Sequence, residues 1–316
     1  MKKRRILLAL IMLIITGISL TTATYAWFTA NRAVSVEEID VKASASGGIQ
    51  ISADAKSWSN EVTLAQLKNV NPEADITLDN HFPETATMQP VTTIGTNGQT
   101  GKFVFFSGEL NDAGDQVKTA AIDDTSKLYA AFDLYFYSIK PQKIEFNEGT
   151  GVIAKGVGGG TVVDKDLKSS VRVGFLFQGN DNTATPATAR GLHKGTLADQ
   201  QIWEPNADKH SKNAVDFGGV TQNHVETTMG GKAASDDAFV SKTDGEKFEA
   251  IGSTHHLITS NEGAYPEGVI FDFAEGINKV RVYVWLEGQD VDNEDSVTLG
   301  SGVGVKLNFK TQEAQG

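Results

Sequence analysis

Leu128-Tyr-Ala-Ala-Phe-Asp-Leu-Tyr-Phe-Tyr137 is the stretch that decides the fold of this chain. Its side chains divide into two alternating sets: Leu128, Ala130, Phe132, Leu134 and Phe136 in one, and Tyr129, Ala131, Asp133, Tyr135 and Tyr137 in the other. A period of two is typical of a β-strand, whose successive side chains point to opposite faces of a sheet. The first set is apolar throughout, so this stretch predicts a strand with one face on a core.

Three further segments repeat the pattern: Val171/Val173/Phe175/Phe177, Val280/Val282/Val284/Leu286 and Val303/Val305/Leu307/Phe309. Each has a polar or aromatic opposite face, and Gly, Asn and Asp turns separate the segments. Helical periodicity is almost missing from the chain. The pattern predicts an all-β protein, an antiparallel β-sandwich of jelly-roll or Greek-key type.

Local features refine this prediction. Val34 and Val36 are out of phase with Ile39 and Val41, so a β-bulge near Glu37-Glu38 is expected to absorb one extra residue. Thr63-Leu-Ala-Gln66 has the spacing of a capping box and predicts one short helix that ends near Asn69. Asn97-Gly98 predicts a hairpin turn between two strands.

Residues 179 to 268 have a different character. They are rich in Asn, Asp, Thr, Gly and Ala and show few runs of alternation. A structureless loop of this length is uncommon in a compact domain. The segment therefore predicts a long polar insertion on the surface of one sandwich domain that spans residues 27–316.

The amino end carries an export signal. Lys2, Lys3, Arg4 and Arg5 precede an apolar run from Ile6 to Leu20, and small residues precede the junction in Thr24-Tyr-Ala-Trp-Phe-Thr-Ala-Asn-Arg32. This order is typical of a signal peptide over residues 1–26, cleaved between Ala26 and Trp27. The uncharged stretch is also long enough for an uncleaved membrane anchor, and both alternatives place the rest of the chain outside the cell.

Composition excludes several functions. Cleavage removes four of the 28 basic residues and none of the 40 acidic ones, which leaves 24 against 40 and a net charge of −16. Nucleic acid is not an expected partner, because binding phosphates requires a basic surface. There is no cysteine for a disulfide, a thiolate metal site or a nucleophile. Hydrolase and phosphate-loop motifs are missing, and Gly156-Val-Gly-Gly-Gly160 is interpreted as a turn, so no enzyme activity is predicted.

Two oxygen-rich loops are candidates for a cation. Asp290-Val-Asp-Asn-Glu-Asp295 offers Asp290, Asp292 and Asp295 as hard ligands for Ca²⁺, without the glycine of an EF-hand; a solvated loop is the alternative. Glu204, Asp208 and His210 could converge on a second cation, although the Pro-Asn between them favours a turn. No other cofactor is predicted.

The Thr-Tyr-Ala/Trp-Phe junction, followed by short alternating segments, resembles precursors of the TasA/camelysin type, which are secreted biofilm-matrix proteins of Gram-positive bacteria released by a dedicated signal peptidase. Phe132–Phe136, Val171–Phe175 and Val282–Asp290 are similar to stretches of bacterial surface proteins with the same kind of amino end. The resemblance implies a jelly-roll subunit that polymerises by donor-strand complementation into extracellular fibres. Its partners would be further copies of itself, the signal peptidase and other matrix or surface proteins.

Trp27–Ala43 is the candidate donor strand. After cleavage it is a terminal segment whose Val34, Val36, Ile39 and Val41 require a groove, and the open edge of a neighbouring sheet would supply one. The alternative for the segment is that it pairs within its own sheet. The alternative function is a cell-surface module that binds a ligand, such as carbohydrate, through loops and the aromatic face of Tyr129, Tyr135, Tyr137, Tyr283 and Trp285.

Overall fold

The computed structural model describes residues 34–44, 48–70, 80–84, 88–96, 102–110, 116–162, 166–183, 185–193, 200–212, 215, 239–241, 256–288, 290, 292 and 301–312. These residues form two short α-helices, Leu64–Lys68 and Pro186–Arg190, and the following strands: β1 (Ser35–Ala43), β2 (Ile49–Ser52), β3 (Glu61–Thr63), β4 (Pro90–Thr96), β5 (Phe103–Leu110), β6 (Gln116–Ile122), β7 (Ala130–Ser138), β8 (Gln142–Phe146), β9 (Gly151–Gly156), β10 (Val171–Asp181), β11 (Gln200–Glu204), β12 (Phe239–Ser241), β13 (His256–Thr259), β14 (Val269–Phe273), β15 (Gly276–Glu287) and β16 (Ser301–Thr311).

The strands form two sheets. The first has the order β14-β8-β16-β1-β3, with β9 also paired to β16. The second has the order β12-β6-β5-β4-β15-β10-β11-β13, with β7 paired to β15 and β2 paired to β7. The all-β sandwich predicted from the sequence is confirmed. Most strand pairs in the described ranges are antiparallel, but β1–β16, β11–β13 and β15–β4 are parallel.

The main core lies between the two sheets. The apolar sets predicted to face inward do so: Phe132, Leu134 and Phe136 of β7 share one buried cluster with the valines of β10, β15 and β16. Rings from both sheets interlock there, with Phe136 5.4 Å from Phe309 and Phe146 5.2 Å from Trp203 between ring centroids. Burial of these side chains is the main stabilising contribution to the fold.

The second face of β7 and β15 is also buried, which differs from the half-buried strands that alternation predicts. β5 is joined to β15 through β4, and this end of the second sheet packs across the face as a third layer, with Phe103 stacked on Tyr283 at 4.5 Å and Phe105 on Tyr129 at 4.0 Å. Gly174 of β10 leaves room for this layer, because a Cβ there would lie 2.5 Å from the Phe103 ring. The aromatic face is therefore the inside of a second, smaller core.

The predicted local features are found where the structure describes them. The register of β1 on β16 shifts between Val36 and Glu38, which leaves Glu37 as the extra residue of a bulge. Thr63 and Gln66 form the capping box of the helix Leu64–Lys68, and Asn69 is its C-cap residue. β4 and β5 pair antiparallel as the hairpin requires, although Asn97-Gly98 lies outside the described residues.

The described part of the insertion widens the second sheet. β10 continues to Asp181, β11 pairs with β10, and β13 pairs with β11. Trp203 of β11 is fully buried in the main core and its indole donates to Ser260 Oγ at 3.0 Å. No helix within the described residues is long and apolar enough to cross a membrane.

Candidate assembly site

The first strand is embedded in its own sheet. β1 lies beside β16 in parallel over the register Ser35↔Gly302 to Ala43↔Phe309. Its other edge pairs with β3 at Asp40–Lys42, and Val34 exchanges two backbone hydrogen bonds with Met88 at 3.3 and 3.0 Å. Of the two arrangements that the sequence leaves open, this single chain shows the strand folded into its own sheet.

All four predicted donor side chains enter the main core. Val34 and Val41 have no exposed surface, Ile39 is 1% exposed and Val36 is 9% exposed. They pack in the same cluster as Val303, Val305 and Leu307 of β16. Full burial of an aliphatic side chain is worth about 1.5–3 kcal/mol, so these residues make β1 a tightly held strand. Withdrawal of β1 would open an apolar groove along β16.

The outer face of β1 is held by charge and hydrogen bonds at the bulge. Glu37 Oε2 accepts a hydrogen bond from the Gly158 backbone amide at 3.0 Å. Glu38 forms ion pairs with Lys155 of β9 and with Lys306 of β16, the second at 3.6 Å. The glycine-rich turn Gly156–Gly160 therefore supplies a hydrogen-bond donor to β1.

A short segment joins β1 to β2, which belongs to the other sheet. Gly48, just before β2, has a φ of +71°. A side chain there would be strained in this left-handed region and its Cβ would lie 2.8 Å from Ile139 Cδ1. Gly48 therefore helps the chain to pass from β1 in the first sheet to β2 in the second sheet of the same molecule.

The acidic residues predicted to bind cations belong to a buried charge cluster. The Arg172 guanidinium, on β10, donates to Glu204 at 2.9 Å and to Asp290 at 2.5 Å. Asp292 lies 2.8 Å from His210 Nδ1 and accepts the Ser211 backbone amide at 2.6 Å. The two loops that the sequence analysis treated separately therefore meet around one arginine.

Burial dominates the protonation of this cluster. It raises the pKa of the Glu204 carboxyl to about 7, although the Arg172 guanidinium opposes the shift. Burial also raises the pKa of Asp292 to about 6, against the hydrogen bond with His210. The nearby Asp290 carboxylate raises both pKa values further, because like charges disfavour ionisation.

Of the three predicted calcium ligands, the structure describes Asp290, which pairs with Arg172, and Asp292, which pairs with His210. Within the described ranges, no group of three or more His, Asp or Glu side chains is arranged to hold a metal ion. Asp208 points away from the cluster and accepts the Glu262 amide at 2.7 Å. Asp295 lies outside the described residues, and so do Ala26 and Trp27 of the predicted cleavage site. Arg172 could not be assigned from the sequence, because its partners come from remote segments.

The aromatic residues proposed to stack on a sugar are mostly inaccessible. Tyr129, Tyr135, Tyr283 and Trp285 are 0–1% exposed, and only Tyr137 of this set reaches solvent, at 39%. Tyr135 lies beside a second buried charge group, in which Asp133 pairs with Arg281 and Lys279, both at 3.1 Å. Burial alone would raise the pKa of Asp133, but these two cations outweigh it and lower the pKa. The face is packed as a core and does not form a binding platform.

Comparison with known proteins adds no family. No protein-family model, curated protein or solved structure matches the chain.

Proposed function

We propose that this protein is an extracellular structural subunit that assembles into a surface fibre or matrix by donating its first strand to the next copy. The observation that carries the proposal is the position of β1: a strand near the amino end, with four buried aliphatic side chains, that occupies a groove between β16 and β3. Neither neighbour is joined to β1 by a hairpin.

Such a strand can be exchanged without loss of contacts. The groove makes the same backbone hydrogen bonds and the same apolar contacts whether β1 comes from its own chain or from another. Head-to-tail donation does not close on itself and therefore propagates as a filament. The export signal upstream of β1 supports an extracellular site of assembly, with further copies of the chain as the main partner.

An engineered disulfide tests the proposal directly. The sequence has no cysteine, so an introduced pair can bond only with each other or with the same pair in another copy. Asp40 and Lys306 are register partners on β1 and β16. Adjacent strands bring Cα atoms within the range that a disulfide spans. In the D40C/K306C variant that begins at Trp27, we expect filaments by negative-stain microscopy and, after oxidation, a ladder of covalent oligomers on a non-reducing gel.

The matched control is D40C/K310C, whose second cysteine is four residues further along β16 and out of reach of the first. It should give no ladder. Monodisperse particles in which D40C/K306C closes only within one chain would contradict donation and favour a monomeric surface module.

A further inference from the structure

We infer that Glu37 and Glu38, at the bulge of β1, form a register key through which the groove accepts this strand at one position and in one direction, so that the partner it selects is a second copy of this chain. The inference rests on the proposed strand donation and specifies its selectivity. We call the set Glu37, Glu38, Lys155, Gly158 and Gly302 the bulge key.

The inner face alone does not determine the register. Its side chains are all aliphatic, and they recur every two residues on each side of the bulge. A strand displaced by two residues keeps the same face toward the core, so apolar pockets of similar size discriminate weakly. Many alternating strands would satisfy such a groove.

The bulge removes this ambiguity. Glu37 is the extra residue between Val36↔Val303 and Glu38↔Gly304. The inward phase changes there, from Val34 and Val36 to Ile39 and Val41. A bulge places two residues opposite one, which shifts the alternation of side chains by one residue. A regular strand without a bulge can therefore place its apolar side chains in the pockets on only one side of this point.

The groove is shaped to receive the bulge at one point. A Cβ on Gly302 would lie 2.8 Å from Glu37 Cγ, so the missing side chain leaves the space that Glu37 occupies. A Cβ on Gly304 would lie 3.0 Å from Lys155 Cε, the lysine that pairs with Glu38. The Gly158 amide completes the site by donating to the Glu37 carboxylate.

Charge gives the key its polarity. The donor strand carries two adjacent carboxylates, and the groove carries Lys155 and Lys306 next to them, in a protein whose overall charge is acidic. Glu38 and Lys155 are both about 30% exposed, so their attraction is partly screened and modest. It serves to distinguish between registers, while the apolar face supplies the affinity.

The test is strand exchange between two differently labelled populations of the full chain from Trp27, measured by energy transfer. Glu38→Lys should lower the equilibrium fraction of wild-type grooves that this strand fills about fivefold, and Lys155→Glu in the acceptor should restore it. Gly302→Ala should lower the occupancy by the wild-type strand more than that by a Glu37→Gly strand, which has no Cγ; the remaining contact of the new Cβ, 3.1 Å to the Lys155 carbonyl oxygen, is the same for both strands. Lys310→Glu is the control, since Lys310 lies on β16 but pairs with Glu145.

A second measurement separates this inference from the proposed function. Double-mutant cycles on urea unfolding test the pairs Glu38/Lys155 and Glu37/Gly302 in any chain whose own strand fills its groove. A coupling free energy within these pairs, without any strand exchange between wild-type copies, would overturn donation. The bulge key would then only set the register of β1 within its own chain. Equal occupancy of the grooves by every variant strand, together with additive stabilities, would overturn the key and leave donation standing.

Discussion

At the residue scale, the most consequential side chain is Arg172. Its guanidinium has no exposed surface and joins Glu204 of β11 to Asp290 beyond β15. Burying an arginine with two carboxylates costs desolvation free energy. Removing one member of such a cluster destabilises the fold more, because the remaining charges are then buried without a partner. The cluster therefore fixes where the insertion meets the sheet.

Arg172→Met should lower the free energy of unfolding by about 3–5 kcal/mol at pH 8, because Glu204 and Asp290 are left without their cation. The loss should be smaller at pH 5, where protonation relieves the buried charge. Urea unfolding monitored by tryptophan fluorescence measures both. Lys310→Met, which removes a partly exposed cation from β16, is the control and should cost less than about 1 kcal/mol.

Glu204 should make stability depend on pH in a defined direction. Because its pKa in the folded state is about 7, above its ordinary value of 4.5, the folded protein holds a proton that the unfolded chain releases. The contribution is complete below about pH 4.5 and is lost as the pH rises through about 7; at most it amounts to about 3 kcal/mol. Asp292 acts in the same direction.

Glu204→Gln isolates this contribution. The wild-type protein should lose more stability than the variant between pH 5 and pH 8 in urea unfolding. Glu275→Gln, at an exposed glutamate, should reproduce the wild-type dependence. Identical pH dependence in the wild type and Glu204→Gln would show that Glu204 is ionised throughout.

At the scale of elements, the proposed donation depends on β1 and on its connection to β2. Gly48 lies between β1 of one sheet and β2 of the other, and its positive φ makes the return of the chain possible. A hinge that is strained in the closed form and relaxed in the extended form favours exchange between copies.

Gly48→Ala should therefore increase exchange. The left-handed conformation costs an alanine about 1 kcal/mol. This cost destabilises the form in which β1 lies in its own sheet, whereas a donated β1 leaves residue 48 free to take an extended conformation. We expect the equilibrium fraction of donated strands, measured by size-exclusion chromatography with light scattering, to rise about fivefold. Gly263→Ala is a matched control, with a φ of +76° and open space around the Cβ position, and it should destabilise the fold without promoting oligomers.

At the scale of the whole molecule, the net charge would oppose the proposed assembly. The chain from Trp27 carries a net charge of −16, so approaching copies repel one another over distances that salt shortens. Raising the ionic strength from about 0.01 M to about 0.15 M should shorten the lag before filaments form, followed by light scattering. A slower onset at higher salt would show that attraction between charges, such as the bulge key, dominates the encounter.

The sequence by itself determined the features that arise within a few residues. Alternation identified the strands around Phe132, Val173, Val282 and Val305, the phase change placed the bulge at Glu37, and the Thr63/Gln66 spacing placed the one helix it predicted. These follow from backbone geometry and local hydrogen bonding, which neighbouring residues control. The same kind of local pattern predicts an export signal at the amino end.

Only the tertiary structure decided which remote segments meet. It paired β1 with β16 in parallel, covered the aromatic face of β15 with β5, and put Arg172 between Glu204 and Asp290 where a cation was expected. No local pattern records these contacts, because the two partners are far apart in the chain and their meeting depends on how the whole core packs. A polar residue such as Arg172 has the same sequence signature at the surface as in a buried pair, and burial alone gives it its role.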